Sequence, residues 1–179
     1  NNSLNAFALE AYVAFEIFKN MYIHSIHPHP EGGAIVIYEQ DYVLISTLYV
    51  SYISDSGEII WTKTLTEDSS DQDYLDSIIS NNGLYIIFND ARLGTMDIFG
   101  QLINFSGSKL GKSNGDPITI DVSDQTSASL DINDNLSQIF VCWEDDKNGA
   151  SDNKDIYCKI QLLSKESVLK NYSYKNISE

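Results

Sequence analysis

The sequence is poor in basic residues: 11 Lys and Arg stand against 26 Asp and Glu in 179 residues, a formal net charge of −15. Binding to nucleic acid or to an anionic membrane surface depends on such basic side chains, so we expect neither partner. The chain also lacks the apolar run of about 18 residues that a membrane-spanning helix needs. A Gly-rich phosphate loop, a Cys-x-x-Cys motif and a convincing Ser-His-Asp order are absent too. We therefore expect a protein that is not an enzyme and does not insert into a membrane.

Short segments rich in β-forming residues dominate the sequence. Apolar residues make up 42% of the chain, which is enough to build a core. Runs of Val, Ile, Tyr and Phe bounded by Gly, Asn, Asp or Ser predict strands at 34–38, 43–53, 84–88, 98–103, 139–143 and 156–163. Several runs are apolar at every position, which predicts strands covered on both faces, as in stacked sheets. Residues 6–18 have some helical character, but we favour a strand there as well.

These strands recur as a unit of about fifty residues. Three segments align with one another: 33–40, 83–90 and 138–145. A second strand follows each, and antiparallel pairing then predicts aromatic pairs at one common place, Tyr38 with Tyr49, Phe88 with Phe99 and Trp143 with Tyr157. Further strands are predicted before the second hairpin at 74–79 and after the three hairpins at 59–65, at 118–122 or just before it, and at 168–174. Four short strands in about fifty residues is the composition of a β-propeller blade.

The turns of the hairpins carry a more specific resemblance. The segment 143–149 reads Trp-Glu-Asp-Asp-Lys-Asn-Gly and is followed by Asp-Ile-Tyr at 155–157, while 88–94 reads Phe-Asn-Asp-Ala-Arg-Leu-Gly and is followed by Asp-Ile-Phe-Gly-Gln at 97–101. These segments resemble β-propeller repeats of secreted bacterial and archaeal surface proteins, in which an apolar strand ends in Trp-Glu-Asp-x-Arg-x-Gly before Asp-Ile-Tyr-x-Gln. Residues 32–39 are similar, although the turn after them has lost the Arg and the Gly.

The resemblance implies an all-β array of four-stranded antiparallel blades. The blade boundaries would be 1–26 for the end of a preceding blade, then 27–75, 76–127 and 128–179. This is about 3.5 blades, whereas propellers close with four to eight, so we expect an incomplete arc completed by further blades or by a partner chain. The implied role is an extracellular or cell-surface module for structure, adhesion or binding of protein or glycan. A glycan-active propeller enzyme, glycosidase-like or sialidase-like, and a tandem β-sandwich surface protein are the alternatives. The Asp and Arg of the repeat turns are expected to cap turn amides, with Arg92 paired to Asp97 or packed along a neighbouring blade.

Three histidines fall close together, at His24, His27 and His29. Imidazoles at this spacing are candidate ligands for a transition metal, although Pro28 and Pro30 must bend the chain to bring them onto one side. The positions fifty residues later hold Tyr, Ser and Ile (74, 77 and 79), so the repeat itself does not require histidine. An exposed loop with incidental histidines is the alternative.

The third hairpin turn is longer than the other two and acidic. Its spacing imitates a calcium loop, with candidate oxygen ligands Glu144, Asp146, Asn148, Asp152 and Asp155. The match is imperfect at both ends, because Glu stands first and Asp last. Calcium is therefore a candidate cofactor, and a solvated acidic turn without a bound ion is the alternative.

The two cysteines, Cys142 and Cys158, face each other in the predicted register of the third hairpin. Such a pair can form a cross-strand disulfide if its backbones approach closely. Two reduced, buried thiols are the alternative. An even cysteine count and an acidic, Asn- and Ser-rich surface favour the disulfide and an extracellular location.

Overall fold

The structure, a computed structural model, describes residues 21–42, 45–133, 137–146, 154–163 and 175–176. These residues form β-strands, turns and loops, and none of them belongs to a helix that could span a membrane. The first sheet contains β1 (Met21–Pro28), β2 (Ala34–Tyr42), β3 (Ile45–Ile53) and β4 (Ile59–Thr64). The second contains β5 (Gln72–Ser80), β6 (Gly83–Asp90), β7 (Asp97–Ile103), β8 (Lys109–Leu110) and β9 (Asp116–Thr119). The third contains β10 (Gln125–Asn133), β11 (Gln138–Asp145), β12 (Asp155–Leu162) and β13 (Lys175–Asn176).

Each sheet is an antiparallel meander in which strands next to each other in sequence are hydrogen-bonded neighbours, except for β8 and β9 of the second sheet. In the second sheet β8 and β9 are both short, and both pair with β7. The strand predicted at 118–122 or in the segment before it corresponds to both, since β8 precedes that range and β9 overlaps its first two residues. Residues 6–18 and 168–174, also predicted as strands, lie outside the described residues.

The predicted hairpin registers are confirmed. The three aromatic pairs lie directly opposite each other, at Tyr38 and Tyr49, Phe88 and Phe99, and Trp143 and Tyr157. Their ring centroids are separated by 5.5, 6.1 and 6.2 Å in stacked arrangements. A cross-strand aromatic pair stabilises a sheet by about 0.2–1 kcal/mol, so the repeat places one such contact at the same point of every sheet.

The second sheet is covered on both faces. One face presents Leu84, Ile86 and Phe88 to an apolar layer of the first sheet that includes Ile37 and Val50. The other face presents Tyr85 and Ile87 to a layer of the third sheet that includes Val141 and Trp143. Every residue of β6 and β7 is buried. Continuous apolar strands in this sheet are thus explained by the stacking of sheets on both sides.

The third sheet is less covered than the sequence predicts, because one of its faces is partly exposed. Residues along β11 alternate between buried and more exposed positions, although the strand is apolar throughout its centre. Phe140, Ile156 and Ile160 on its outer face are 37, 43 and 38% exposed. The prediction of two covered faces is therefore wrong for β11, because the second sheet packs on one face and no described sheet packs on the other.

The first strand of each sheet carries a bulge at an equivalent place. The register shifts at His24 in β1, at Leu75 in β5 and at Ser127–Ala128 in β10, each next to the aromatic residue of the paired strand. Ser127 adopts a positive φ of 51° within this bulge. A bulge changes the direction of the neighbouring side chains and is common beside functional sites. The first strands, β1, β5 and β10, are therefore candidate positions for such a site.

Candidate functional site

Polar side chains of the bulged strands connect the first sheet to the second. Nε2 of His27 on β1 lies 2.7 Å from the Ser77 hydroxyl on β5 and 3.0 Å from the Ser25 hydroxyl. The Tyr74 hydroxyl lies 2.8 Å from Ser77 Oγ. Burial lowers the pKa of His27, while the Asp76 carboxylate acts in the opposite direction. Burial therefore favours the neutral form of this imidazole.

Asp76 extends this polar line to the third sheet. Its Oδ2 accepts hydrogen bonds from the Ser129 hydroxyl at 2.9 Å and from the Leu130 backbone N–H at 3.0 Å, both on β10. Its Oδ1 accepts the Ser77 N–H at 2.8 Å. Hydrogen bonds to a charged group are stronger than those between neutral groups, so the Asp76 carboxylate stabilises the contact between the second and third sheets.

A hydroxyl within hydrogen-bonding distance of an imidazole is one requirement of a serine nucleophile, and Ser77 and His27 meet it. The second requirement is a group that orients the imidazole through its other nitrogen. Within the part of the chain that the structure describes, no hydrogen bond engages Nδ1 of His27, and the oxygens of Asp76 bind elsewhere. What these contacts do show is that His27 and Ser77 connect the first sheet to the second.

The three histidines predicted as metal ligands are not placed to share one metal ion. His24 Nε2 lies 2.7 Å from Glu39 Oε2, and its ring stacks on Tyr74. His29 is buried, with its ring stacked on Tyr52 at a centroid distance of 3.7 Å. Among the described residues, no group of three His, Cys, Asp or Glu side chains is placed to hold a metal ion.

His29 has a further reason not to bind a metal. Its Nε2 donates to the Phe105 carbonyl at 3.0 Å, and its Nδ1 accepts the Glu31 N–H at 3.2 Å. These two bonds use both ring nitrogens of the neutral imidazole, which leaves no lone pair for a ligand bond. Through these two hydrogen bonds, His29 stabilises the loop that precedes β2.

The residues predicted to be equivalent to the histidines in the second unit are also wrong. The registers show that His24, His27 and His29 correspond to Leu75, Ile78 and Ser80, fifty-one residues later. The prediction of Tyr, Ser and Ile was wrong by one residue, because five residues separate the paired Pro28 and Ala34 whereas four separate the equivalent Ile79 and Leu84.

The predicted calcium ligands fall at the edge of the described residues. Asn148 and Asp152 lie outside them. Glu144 forms an ion pair with Lys154 at 3.0 Å, and Asp155 lies opposite Asp145 at the start of β12. Asp146 is the last described residue before the gap. Calcium binding by this turn stays a prediction.

Cys142 and Cys158 are bonded to each other in the structure. They occupy opposed positions of β11 and β12, with their Cα atoms 4.1 Å apart. This distance is typical of the closely spaced pairs of an antiparallel ladder. The disulfide lies on the outer face of the third sheet, between Phe140 and Ile156 along the strands.

The turn residues behave as capping residues, with one correction. Asp90 Oδ1 accepts the Arg92 N–H at 2.9 Å, as a turn cap does. The Arg92 guanidinium also pairs with Asp90 and not with Asp97, and its Cζ lies 4.1 Å from the centroid of the Phe99 ring. Position 90 precedes the turn directly, so its carboxylate reaches both groups, whereas Phe99 of the same sheet supplies the surface on which the guanidinium packs.

A Ser-Asp-Gln tripeptide recurs at 70–72 and 123–125 and was not among the predicted site residues. Its Ser hydroxyl donates to the Asp that ends the second strand of the same sheet, at 2.6 Å for Ser70 and 2.9 Å for Ser123. Its Asp accepts a backbone N–H of the preceding sheet, from Ser46 to Asp71 and from Met96 to Asp124. The repeated tripeptide was the available signal, but it lies in acidic stretches that resemble solvated loops.

Comparisons with known proteins yield no relative. No protein-family model matches the chain, and neither a curated protein nor a solved structure is significantly similar to it.

Proposed function

We propose that this chain is part of a non-enzymatic β-propeller module of an extracellular or cell-surface protein, serving structure, adhesion or the binding of a protein or glycan. The observation that carries the proposal is the second sheet, an antiparallel meander with both faces buried against similar meanders. Repeated stacking of such sheets through both faces is the construction principle of propeller blades.

Contacts between the first strands support the proposal. His27 contacts Ser77, and Asp76 contacts Ser129, so β1, β5 and β10 meet in chain order. In a propeller the first strands of successive blades lie side by side around the central axis. The Ser-Asp-Gln tripeptides add a second set of contacts at the end where each sheet leads into the next.

The outer face of the third sheet supports an incomplete arc. Phe140, Ile156 and Ile160 occupy the positions at which the second sheet carries buried Tyr85, Ile98 and Leu102. An apolar sheet face of this kind is normally covered, and a further blade of the same protein or of a partner chain would cover it. The disulfide on this face and the acidic composition support an extracellular location.

Distances between equivalent residues test the architecture. Blades fan out from an axis, so spin labels on the first strands should lie closer together than labels on the outer turns. We expect a shorter distance for labels at Tyr22 and Asp73 than for labels at Ser56 and Ser106, with the native disulfide kept oxidised. Equal distances for the two pairs would indicate parallel layers, as in sandwiches, and would contradict the propeller proposal.

A screen of activity and binding tests the functional part. The protein is incubated with a panel of oligosaccharides, with and without calcium, and released sugars are measured. A glycan array and a panel of surface proteins provide the binding readout in the same buffers. Binding without hydrolysis is the expected result, and sugar release that persists in protein purified by a second route would refute the non-enzymatic role.

A further inference from the structure

The turn between β7 and β8, residues 104–108, contains the sequence Asn-Phe-Ser at 104–106. Asn-x-Ser, with any residue except Pro in the middle, is the acceptor sequence for N-linked glycans. It occurs five times in the chain, at Asn1, Asn104, Asn135, Asn171 and Asn176. The acceptor sequence at Asn104 is the one that lies wholly within the described residues. Such a short sequence also arises by composition in a chain rich in Asn and Ser, so geometry has to distinguish a usable acceptor from a chance match.

Hydrogen bonds hold the backbone of this turn in place. The Asn104 N–H donates to the Ser108 carbonyl at 2.9 Å, which closes the turn. The Phe105 carbonyl accepts hydrogen bonds from Nε2 of His29 at 3.0 Å and from Nε1 of Trp61 at 3.3 Å. Two residues of the first sheet and its connecting loop therefore fix the inner side of the turn, and its outer side remains at the surface.

The orientation of the Asn104 carboxamide is fixed by its partners. Its Oδ1 accepts the Ser108 N–H at 2.8 Å and the Ser106 hydroxyl at 2.9 Å, both at the exposed surface. A backbone N–H can only donate, so the atom that faces Ser108 is the oxygen and Nδ2 points the other way. Nδ2 makes no hydrogen bond to any described residue and is not among the buried polar atoms without a partner, so it retains surface that solvent can reach.

The equivalent turn of the first sheet, residues 54–58, shows what this turn requires from its first side chain. There the Ser54 hydroxyl oxygen accepts the Glu58 N–H at 3.2 Å, and the Ser54 N–H donates to the Glu58 carbonyl at 2.9 Å. One side-chain oxygen is thus enough to cap the turn, as side-chain oxygens commonly do in such turns. Nδ2 of Asn104 has no part in this cap. A sugar joined to Nδ2 leaves Oδ1 in place and keeps both of its hydrogen bonds.

We propose that Asn104 is an N-glycosylation site, at which Nδ2 takes the oligosaccharide of a lipid diphosphate donor. A bond forms between Nδ2 and the anomeric carbon of the first sugar, and the bond between that carbon and the diphosphate oxygen breaks. The lipid diphosphate leaves with the electron pair, and Nδ2 gives up one proton to a base of the transferase. The inference rests on the proposed extracellular location, because N-linked glycans are attached to secreted chains.

The test compares two preparations of the full chain. One is made in the bacterial cytosol, and the other is secreted behind a cleavable signal peptide from a eukaryotic cell line that glycosylates its secreted proteins. Peptides are analysed by mass spectrometry before and after a glycosidase that converts glycosylated Asn to Asp. We expect a glycan on Asn104 in most secreted chains and in none of the cytosolic ones. Secreted chains with unmodified Asn104, or with the sugar on Ser106 instead, would overturn the proposal.

Variants separate the acceptor from the fold of the turn. Asn104→Ser removes Nδ2 but keeps a capping oxygen, as Ser54 does in the first sheet, so it should lose the glycan and unfold thermally at the temperature of the unglycosylated protein. Ser106→Ala should also lose the glycan, because it removes the hydroxyl of the acceptor sequence while Asn104 keeps its bond to Ser108. Asn135→Gln is the matched control, since it removes a different acceptor sequence and should leave the glycan on Asn104. An unchanged amount of this glycan in Ser106→Ala, or its loss in Asn135→Gln, contradicts the proposal.

The protein isolated from its natural source distinguishes this inference from the proposed location. A glycan on Asn104 of the natural protein supports both. If the secreted recombinant chain carries this glycan and the natural protein carries no sugar at any Asn-x-Ser sequence, the location is contradicted and the acceptor site is not. If the natural protein lies outside the cell with sugar on another acceptor sequence and none on Asn104, the inference fails and the location stands.

Discussion

Ile86 and Ile87 provide a direct test of sheet stacking. They are neighbours on β6, so their side chains point to opposite faces of the second sheet. Both are fully buried, Ile86 in the layer shared with the first sheet and Ile87 in the layer shared with the third. Truncation of a buried Ile to Ala costs about 2–5 kcal/mol, through lost burial and the cavity left behind. We expect Ile86→Ala and Ile87→Ala each to lower the free energy of unfolding by this amount.

Ile160→Ala is the matched reference. Ile160 lies on the outer face of the third sheet and is 38% exposed, so its truncation should cost about 1 kcal/mol or less. The free energies come from urea unfolding, followed by circular dichroism and by the fluorescence of Trp61 and Trp143. The two signals must give one transition for the comparison to hold. If either buried variant resembles Ile160→Ala, the corresponding face of the second sheet is not covered and the stacking is wrong.

Three further predictions address the disulfide, a buried carboxylate and a close backbone contact. The bond between Cys142 and Cys158 closes a loop with a sequence separation of 16, so a double Cys→Ser variant should lose about 3 kcal/mol of unfolding free energy against the oxidised protein, and reduction of the wild type should reproduce that loss. Burial raises the pKa of Asp97 in the folded state, so its contribution to stability is present below the unfolded pKa and is lost as pH rises through the folded value. Asp97→Asn should therefore gain stability over the wild type at pH 7 and little at pH 3, and a gain that is constant with pH in urea unfolding would refute this reasoning. A Cβ at Gly100 would clash with the Tyr85 hydroxyl oxygen, so Gly100→Ala should cost about 1–3 kcal/mol, and adding Tyr85→Phe should restore part of that stability in thermal unfolding.

The hairpins could be predicted because their determinants are local. An apolar segment, a turn rich in Asp and Gly and a second apolar segment define a register, and the aromatic pairs Phe88–Phe99 and Trp143–Tyr157 mark it. The position of the cysteines follows from the same register, since Cys142 and Cys158 are one step beyond the last of these pairs. Side chains of paired strands alternate strictly, so a correct register places every other residue of the hairpin.

The first strands were less accessible to prediction. Bulges at His24, Leu75 and Ser127–Ala128 shift the register, and the first hairpin has one residue more between Pro28 and Ala34 than the second has between Ile79 and Leu84. The predicted unit boundaries at 27, 76 and 128 fall inside β1, β5 and β10. A bulge has no sequence signature comparable to that of a two-residue turn, so it is visible only in the paired structure.

The sequence by itself determined the strand content, the repeat of about fifty residues, the pairing within each hairpin and the acidic charge. All of these depend on residues close together along the chain. Only the tertiary structure decided which apolar faces are covered, that His27 contacts Ser77, and that a buried oxygen of Asp97 has no hydrogen-bond partner among the described residues. Burial and hydrogen-bond partners depend on neighbouring sheets that are fifty residues away, and a local pattern carries no record of them.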